Sequence, residues 1–210
     1  MTRDNLMPLA KHRVRSFTTF AAEAFTDYKT TAAVAPSSRY LAQAMLEPLN
    51  LSEGSTVVEL GPGTGVITLA LLELLPQSST LLAFEINRRF YRYLKKSISD
   101  PRFVLIKKSA EHAGRELRRR GRIRVDAVVS SLGLGLMSDR QRRALLGGLL
   151  PFMDEDSVFT QYQYIHGLEF KDGRLHRFSV GSLLRQYFDS VERKMVWRNL
   201  PPAFVFACRK

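Results

Sequence analysis

The chain has little cysteine and little histidine: one cysteine, Cys208, and four histidines among 210 residues. A single thiol excludes an internal disulfide and suits a reducing compartment, and the isolated histidines offer no cluster for binding a metal ion. The sequence also lacks a secretion signal and any run of about eighteen apolar residues, the length needed to cross a bilayer. We therefore expect a cytoplasmic protein without a metal site.

Acidic residues are outnumbered by basic ones, 20 against 32, which leaves a formal net charge of +12. A surplus of this size predicts a polyanionic neighbour, either nucleic acid or the anionic face of a membrane, and charge alone does not choose between them. The hydrophobic content of 45% is ordinary for a soluble fold with a real core. The length fits one α/β domain with an N-terminal extension, so no second domain is needed.

The most informative segment is an apolar strand that runs into a glycine-rich turn. Val57, Val58 and Leu60 of the strand are apolar and partly β-branched, as expected for a strand buried on both faces. Gly61, Gly63 and Gly65 allow a sharp turn and a close approach of the backbone to a ligand. The following run, 66–75, is apolar and long enough for a helix packed on a sheet. This pattern predicts a cradle for a nucleotide cofactor.

The residues around the cradle indicate which cofactor it binds. The spacing is G-x-G-x-G, preceded by Glu59, and so differs from the G-x-G-x-x-G of dinucleotide sites. A second apolar strand, 81–84, ends in Glu85, about twenty residues after the last glycine, where a carboxylate can accept both hydroxyls of a ribose. This ordered set resembles the S-adenosylmethionine-dependent methyltransferases of the Rossmann-like class, and the resemblance implies S-adenosylmethionine as the cofactor.

The rest of the chain continues to alternate between strand and helix patterns. A final pair of alternating segments brackets Asn199–Pro202 and predicts a closing hairpin. The predicted fold is therefore α/β, with a seven-stranded, mostly parallel sheet and an antiparallel closing hairpin. After the second strand the predicted elements are a helix over 88–97, a strand over 103–106, a helix over 111–120, strands over 125–130 and 157–162 with a helix over 139–150 between them, a helix over 180–188, and strands over 192–197 and 203–208.

An amphipathic helix is predicted before this domain, because apolar residues recur every three or four positions over 14–28. Lys11, Arg13 and Arg15 lie on or near the flanks of the apolar stripe. Such a helix can pack on the protein's own core or lie in a membrane interface with its basic residues over headgroups. The pattern alone leaves both interpretations open.

Three segments, taken in order and spacing, narrow the resemblance. They are Ala33–Ser38, Val58–Val66 and Arg198–Ala203, and together they resemble the bacterial phospholipid N-methyltransferases, which methylate phosphatidylethanolamine towards phosphatidylcholine. The ribosomal RNA adenine dimethylases share most of the glycine motif. The resemblance implies a phospholipid substrate, a membrane-binding extension over 1–32, a catalytic domain over 33–210, and peripheral association with the inner face of an anionic membrane.

The resemblance also implies which positions contact the cofactor. Many relatives place an Asp after the third strand to accept the adenine amine, but Ser109 occupies that position here, so either Ser109 or Glu111 is expected to make the contact. After the fourth strand the chain has the segment 131–137, S-L-G-L-G-L-M, in place of the family's Pro and Asn. The expected cofactor-binding residues are Glu59, Gly61, Gly63, Gly65, Glu85, Ser109, Ala110 and Ser130.

For the substrate, the sequence offers two tyrosines and one arginine. Tyr164, at the end of the fifth strand, is the candidate for orienting the amine, with core packing as its structural alternative. Tyr40 is a second catalytic candidate, because an aromatic face can stabilise a methylated ammonium by cation–π attraction. Arg198, in the closing motif, is the candidate for binding the lipid phosphate, with stabilisation of the hairpin as its alternative.

Two other functions are consistent with the sequence. The first is methylation of RNA at adenine N6, favoured by the charge of +12 and the shared glycine motif. Such an enzyme needs a stacking clamp after the fourth strand, and the segment 131–134 has no aromatic residue. The second is a non-catalytic protein that binds lipid or nucleic acid on the same fold, an interpretation that Ser109 in place of an acid keeps open.

Overall fold

The computed structural model describes residues 38–165, 168–171 and 174–210, and of residues 168–177 it describes only the backbone of two short strands. The predicted amphipathic helix, the proposed boundary at 32/33 and the segment 33–37 lie outside the described residues. None of the helices in the described part of the chain has the length and apolarity needed to cross a membrane.

Strands and helices alternate along the described chain, as the sequence predicts. Short 3-10 turns lie at Ala110–His112, Leu134–Leu136 and Leu150–Phe152. The strands are β1 (Thr56–Leu60), β2 (Thr80–Phe84), β3 (Phe103–Ile106), β4 (Ala127–Ser130), β5 (Val158–Tyr164), β6 (Leu168–Lys171), β7 (Arg174–Arg177), β8 (Ser190–Val196) and β9 (Ala203–Arg209). The helices are α1 (Arg39–Leu46), α2 (Val66–Leu74), α3 (Arg88–Ser97), α4 (Ala113–Arg119), α5 (Asp139–Leu149) and α6 (Val180–Leu184).

Seven of these strands form one sheet in the order β3-β2-β1-β4-β5-β9-β8. The first five are parallel to one another, whereas β9 is antiparallel to both of its neighbours, β5 and β8. The predicted seven-stranded sheet with a closing antiparallel hairpin is therefore confirmed. Because β8 is antiparallel to β9, which is antiparallel to β5, β8 points in the same direction as the parallel strands.

Alternating side chains of the central strands face two separate cores. Val57 of β1 packs with α1 and α2 on one face of the sheet, and Val58 packs with α4, α5 and α6 on the other. Both side chains are fully buried, as are their partners across the register, Leu81 and Val128. A strand covered on both faces is apolar at most positions, which explains why these strands show no regular polar alternation; the fully buried Glu59 of β1 is an exception.

Three local features differ from the sequence-based expectations. The hairpin of β6 and β7, inserted after β5, was not predicted. The helix expected over 111–120 instead begins as a 3-10 turn and becomes α4 at Ala113. The helix expected over 180–188 ends at Leu184.

The connection that follows β1 leads to β2 on one side of it, whereas the connection that follows β4 leads to β5 on the other side. The direction in which successive strands are added to the sheet therefore reverses between β1 and β4. In open α/β sheets the carboxyl ends of strands at such a reversal leave a crevice in which ligands bind. The glycine loop follows β1, Glu85 follows β2, and the loop from Ser131 follows β4. All three therefore lie at this one edge, called here the carboxyl edge.

Candidate active site

The glycine loop has the backbone conformation that its glycines make possible. Gly61, Gly63 and Gly65 have φ angles of 73°, 57° and 85°, in the left-handed region that L side chains rarely adopt. A Cβ at Gly61 would lie 2.9 Å from Leu132 Cδ2, whereas a Cβ at Gly63 would project into open space. The positive φ therefore favours glycine at these positions; a Cβ at Gly61 would also require the Leu132 side chain to shift, and Gly63 leaves open space at the crevice.

Glu59 lies beneath this loop and is completely buried. Its Oε2 accepts a hydrogen bond of 2.8 Å from Thr68 Oγ1 on α2, and its Oε1 has no partner among the described residues. The net effect of its surroundings raises the pKa of Glu59 to about 8: burial is the main cause, the Thr68 hydrogen bond opposes it, and the negative charge of Glu85 adds a smaller increase. Near neutral pH the fold therefore favours the protonated carboxyl group.

The raised pKa makes the stability of the ligand-free protein depend on pH. In the unfolded chain Glu59 titrates near an ordinary value of about 4.3, so between about pH 4.3 and pH 8 only the unfolded chain loses this proton. The contribution of Glu59 to the free energy of unfolding is fully present below this window and is lost as the pH rises through it. We expect the melting temperature to fall between about pH 5.5 and pH 8.5, and Glu59→Gln, which cannot ionise, to show a flatter profile. Parallel profiles for the two proteins, measured by differential scanning calorimetry, would contradict this account of Glu59.

Glu85, at the tip of β2, is connected to the glycine loop. Its Oε2 accepts from Gly63 N at 3.0 Å and its Oε1 accepts from Asn87 N at 2.7 Å. Burial raises its pKa, and the backbone N–H groups of Asn87 and Gly63 oppose the shift. Because a carboxylate has about four acceptor positions, both oxygens can still accept ligand hydroxyls.

Ser109 and Glu111 act as one hydrogen-bonded unit. Ser109 Oγ donates to Glu111 Oε1 at 3.1 Å, and Gln141 Nε2 of α5 donates to the same oxygen at 3.1 Å. Ala110 is buried between them in sequence. The two expected alternatives for the adenine contact are therefore neighbours in space, and the carboxylate is the stronger acceptor of the pair.

The loop after β4 is held by a residue that the sequence analysis did not single out. Gln161 of β5 is fully buried, and its Nε2 donates to the carbonyls of Leu132 at 2.9 Å and Tyr162 at 2.7 Å. Ser130, also fully buried, is its partner across the register. The sequence contained one signal for this role, a glutamine within a largely apolar strand, because a buried amide requires specific hydrogen-bond partners.

The first described residues and the turn between β8 and β9 meet at the carboxyl edge. Ser38 N donates to Asn199 Oδ1 at 3.1 Å, and the guanidinium of Arg198 stacks on the Tyr40 ring at 4.5 Å from its centroid. The neighbouring Arg39 also lies over this ring, at 4.9 Å, and donates to the Tyr40 hydroxyl at 2.8 Å. This hydrogen bond lowers the pKa of Tyr40, with a further contribution from the charge of Arg198. Arg39 was not predicted from the sequence.

Tyr164 lies at the end of β5, opposite Ala203 of β9. Its ring is half-buried and contacts the ring of Tyr162 edge-on, with 5.4 Å between centroids. It thus borders the carboxyl edge while also packing against a neighbour, so both expected roles fit its position. Among residues with described side chains, no three histidines, cysteines or acids lie together as metal ligands.

Comparison with known proteins places the fold among methyltransferases. The chain superposes on a precorrin-6y C5,15-methyltransferase from Geobacter metallireducens with a TM-score of 0.63 and 14% identity, covering 86% of this chain and 93% of that one. A family model described as ribosomal RNA adenine dimethylase matches residues 37–111. This match contains the glycine loop and Glu85.

Two curated relatives differ in how much of the chain they match. An ornithine lipid N-methyltransferase from Singulisphaera acidiphila is 25% identical over 93% of this chain and 97% of its own length. A ribosomal RNA small subunit methyltransferase A from Ureaplasma urealyticum is 39% identical, but over only 27% of this chain and 19% of its own. The fold and these similarities define a class I methyltransferase that uses S-adenosylmethionine.

The residues of the crevice fit this cofactor. Glu59 Oε1 is a buried polar atom without a described partner, and the space at Gly63 is one that a side chain would fill. Glu85 presents a carboxylate where a ribose needs an acceptor. We propose that the loop from Glu59 to Gly65 holds the methionine portion, that Glu85 binds the ribose, and that Glu111 with Ser109 binds the adenine amine.

Proposed function

We propose that the protein transfers methyl groups to the primary amine of phosphatidylethanolamine at the inner face of a membrane. The observation that carries this proposal is the contact between two distant segments at the carboxyl edge. Asn199 binds the backbone of Ser38, and Arg198 stacks on Tyr40. Ser38 and Arg198 belong to the two sequence segments that resemble the phospholipid N-methyltransferases. These segments are more specific to that family than the glycine motif, which the ribosomal RNA adenine dimethylases largely share.

The extent of similarity supports a lipid over an RNA acceptor. Similarity to the ornithine lipid N-methyltransferase extends over 93% of the chain and therefore includes the segments that follow the cofactor half. The match to the ribosomal RNA adenine dimethylase model ends at residue 111. Beyond that point lie the loop after β4 and the closing hairpin, which in our proposal contact the acceptor.

The side chains at the carboxyl edge suit an aminolipid headgroup. S-adenosylmethionine supplies an electrophilic methyl group, so the chain's own residues have to bind, orient and desolvate the amine. In our proposal Arg198 binds the phosphate, and the Tyr164 hydroxyl accepts a hydrogen bond from the amine and fixes its direction. The half-buried, largely apolar surroundings of Tyr164 disfavour the ammonium form and so favour the neutral nucleophile. Arg39 and Arg198 already lie over the Tyr40 ring, so a methylated cation that binds to this ring would have to compete with them.

Methylation of RNA at adenine N6 is the second candidate, favoured by the family-model match and by the net charge of +12. An adenine flipped into the site requires an aromatic or apolar clamp on both faces of the base. The loop from Ser131 to Leu134 supplies a leucine against Gly61 but no aromatic ring. We therefore rank this function below the lipid.

The acceptor is tested with S-adenosylmethionine labelled in its methyl group. The purified protein is incubated separately with vesicles of phosphatidylethanolamine, with vesicles of ornithine lipid and with ribosomal RNA. We expect label in phosphatidylethanolamine. Label in ornithine lipid alone would retain the aminolipid class and replace the proposed substrate, and label in RNA alone would overturn the proposal.

A further inference from the structure

Large apolar side chains are exposed mainly at the carboxyl edge of the sheet. Two of the exposed side chains in the described part of the chain lie elsewhere, Leu74 on α2 and Ile123 before β4. The other five follow the carboxyl ends of strands or lie in the β8–β9 turn: Ile86, Leu136, Ile165, Trp197 and Leu200. Exposed apolar groups gathered at one edge indicate a binding surface, whereas scattered ones need no explanation.

Three of these side chains lie in or beside the β8–β9 turn, a region called here the corner. Ile165 donates its N–H to the carbonyl of Pro202 at 3.2 Å, which places it beside the turn. Trp197 directly follows the last residue of β8, and Leu200 lies within the turn. Their exposed fractions are 42%, 71% and 83%, so all three present apolar surface to solvent.

Two cations lie beside this corner. Arg39 and Arg198 are exposed and stack on the ring of Tyr40, and no described carboxylate forms an ion pair with either guanidinium. We call Ile165, Trp197, Leu200, Arg39 and Arg198 together the docking rim. Cationic groups next to apolar groups match a bilayer interface, where phosphates lie immediately above the acyl chains.

We propose that the docking rim binds a phospholipid bilayer containing anionic lipid, so that a headgroup reaches the site without leaving the membrane. The inference rests on the proposed function for its biological sense, but the surface itself is defined by exposure and charge. Ile165, Trp197 and Leu200 enter the interface, with the indole at the level of the headgroups. Arg39 and Arg198 contact the lipid phosphates.

The chain contains a single tryptophan, Trp197, so its fluorescence reports on this surface alone. We expect vesicles of phosphatidylcholine and phosphatidylglycerol to shift the emission of the full-length protein to shorter wavelength, and brominated acyl chains to quench it. These vesicles lack a methylatable amine, so the signal does not require catalysis. Vesicle binding without any change in emission would place the membrane contact elsewhere and overturn the proposal, as would a shift with RNA but not with vesicles.

Charge substitutions test the surface with a matched control. Leu200→Glu should weaken partitioning onto vesicles by about tenfold or more, because it loses the burial of one leucine side chain. Ile123→Glu places the same charge at a position that is 90% exposed, before β4 at the opposite edge, and should leave partitioning unchanged. Equal losses in the two variants would contradict the proposal, and retained cofactor affinity in both confirms that they are folded.

The same samples separate failure of the rim from failure of the proposed function. A blue shift with vesicles, together with no methylation of phosphatidylethanolamine, would leave the docking rim in place and remove the assigned substrate. Methylation of phosphatidylethanolamine in vesicles with unchanged Trp197 emission would keep the assigned substrate and overturn the docking rim.

Discussion

Gly114→Ala is expected to lower the free energy of unfolding by about 3 kcal/mol, at the upper end of the cost of overpacking a core. Gly114 lies in α4, where an added Cβ would stand 2.1 Å from the carbonyl oxygen of Gly148 in α5 and 2.7 Å from its carbon. These are backbone atoms, so the conflict is relieved only by moving one helix away from the other. For a chain of this size the melting temperature should fall by roughly 6–12 °C.

A control is available on the facing helix. Gly147 of α5 has open space around its added Cβ, so Gly147→Ala should stabilise the helix by about 0.5–1 kcal/mol. Thermal or denaturant unfolding of both variants checks the pair. An unchanged melting temperature for Gly114→Ala would mean that α4 and α5 are further apart than described. This packing also matters for the site, because Gln141 of α5 binds Glu111 just before α4.

Glu85→Ala is expected to weaken binding of S-adenosylhomocysteine by about 100-fold or more, as measured by calorimetry. A carboxylate that accepts two ribose hydroxyls contributes about 1.5–3 kcal/mol for each hydrogen bond, and the substitution removes both. It also removes the acceptor for the N–H groups of Gly63 and Asn87 and so loosens the loop that contacts the ligand. The loss of the ribose hydrogen bonds and the loosening of the loop both weaken binding.

The matched control is another glutamate with hydrogen bonds to neighbouring groups. Glu53 accepts from the backbone and side chain of Ser78 in the loops before β1 and β2, at the edge opposite the crevice. Glu53→Ala should bind S-adenosylhomocysteine like the unaltered protein. Undiminished binding by Glu85→Ala would remove this residue from the cofactor site, and equal losses in both variants would point to a general effect on folding.

The strands of the main sheet were predictable because their determinants are local. Strands such as β1 and β2 are short apolar runs bounded by glycine or acidic residues, and buried parallel strands require that composition. The β6–β7 hairpin escaped prediction because its strands have only four residues each, and the alternation of Leu168–Lys171 is not matched in Arg174–Arg177. It pairs through backbone hydrogen bonds, which depend little on residue type.

The conformation of the glycine loop and the position of Glu85 were predictable for a related reason. A backbone with positive φ favours glycine, so the turn is visible in the sequence as Gly61, Gly63 and Gly65. The carboxylate at the end of β2 is visible as an acidic residue at a fixed distance along the sequence. Arg39 and Gln161 belong to no motif of fixed spacing, because their roles depend on residues far away in sequence. Arg39 shares the Tyr40 ring with Arg198, and Gln161 holds the carbonyl of Leu132.

A crystal structure with S-adenosylhomocysteine tests the central claim most directly. The account predicts that the nucleoside lies in the crevice at the carboxyl ends of β1 and β2, with its ribose hydroxyls within hydrogen-bond distance of the Glu85 carboxylate. It also predicts that the amino-acid portion lies along the loop from Glu59 to Gly65. A nucleoside bound elsewhere, or one whose ribose makes no contact with Glu85, would contradict the account.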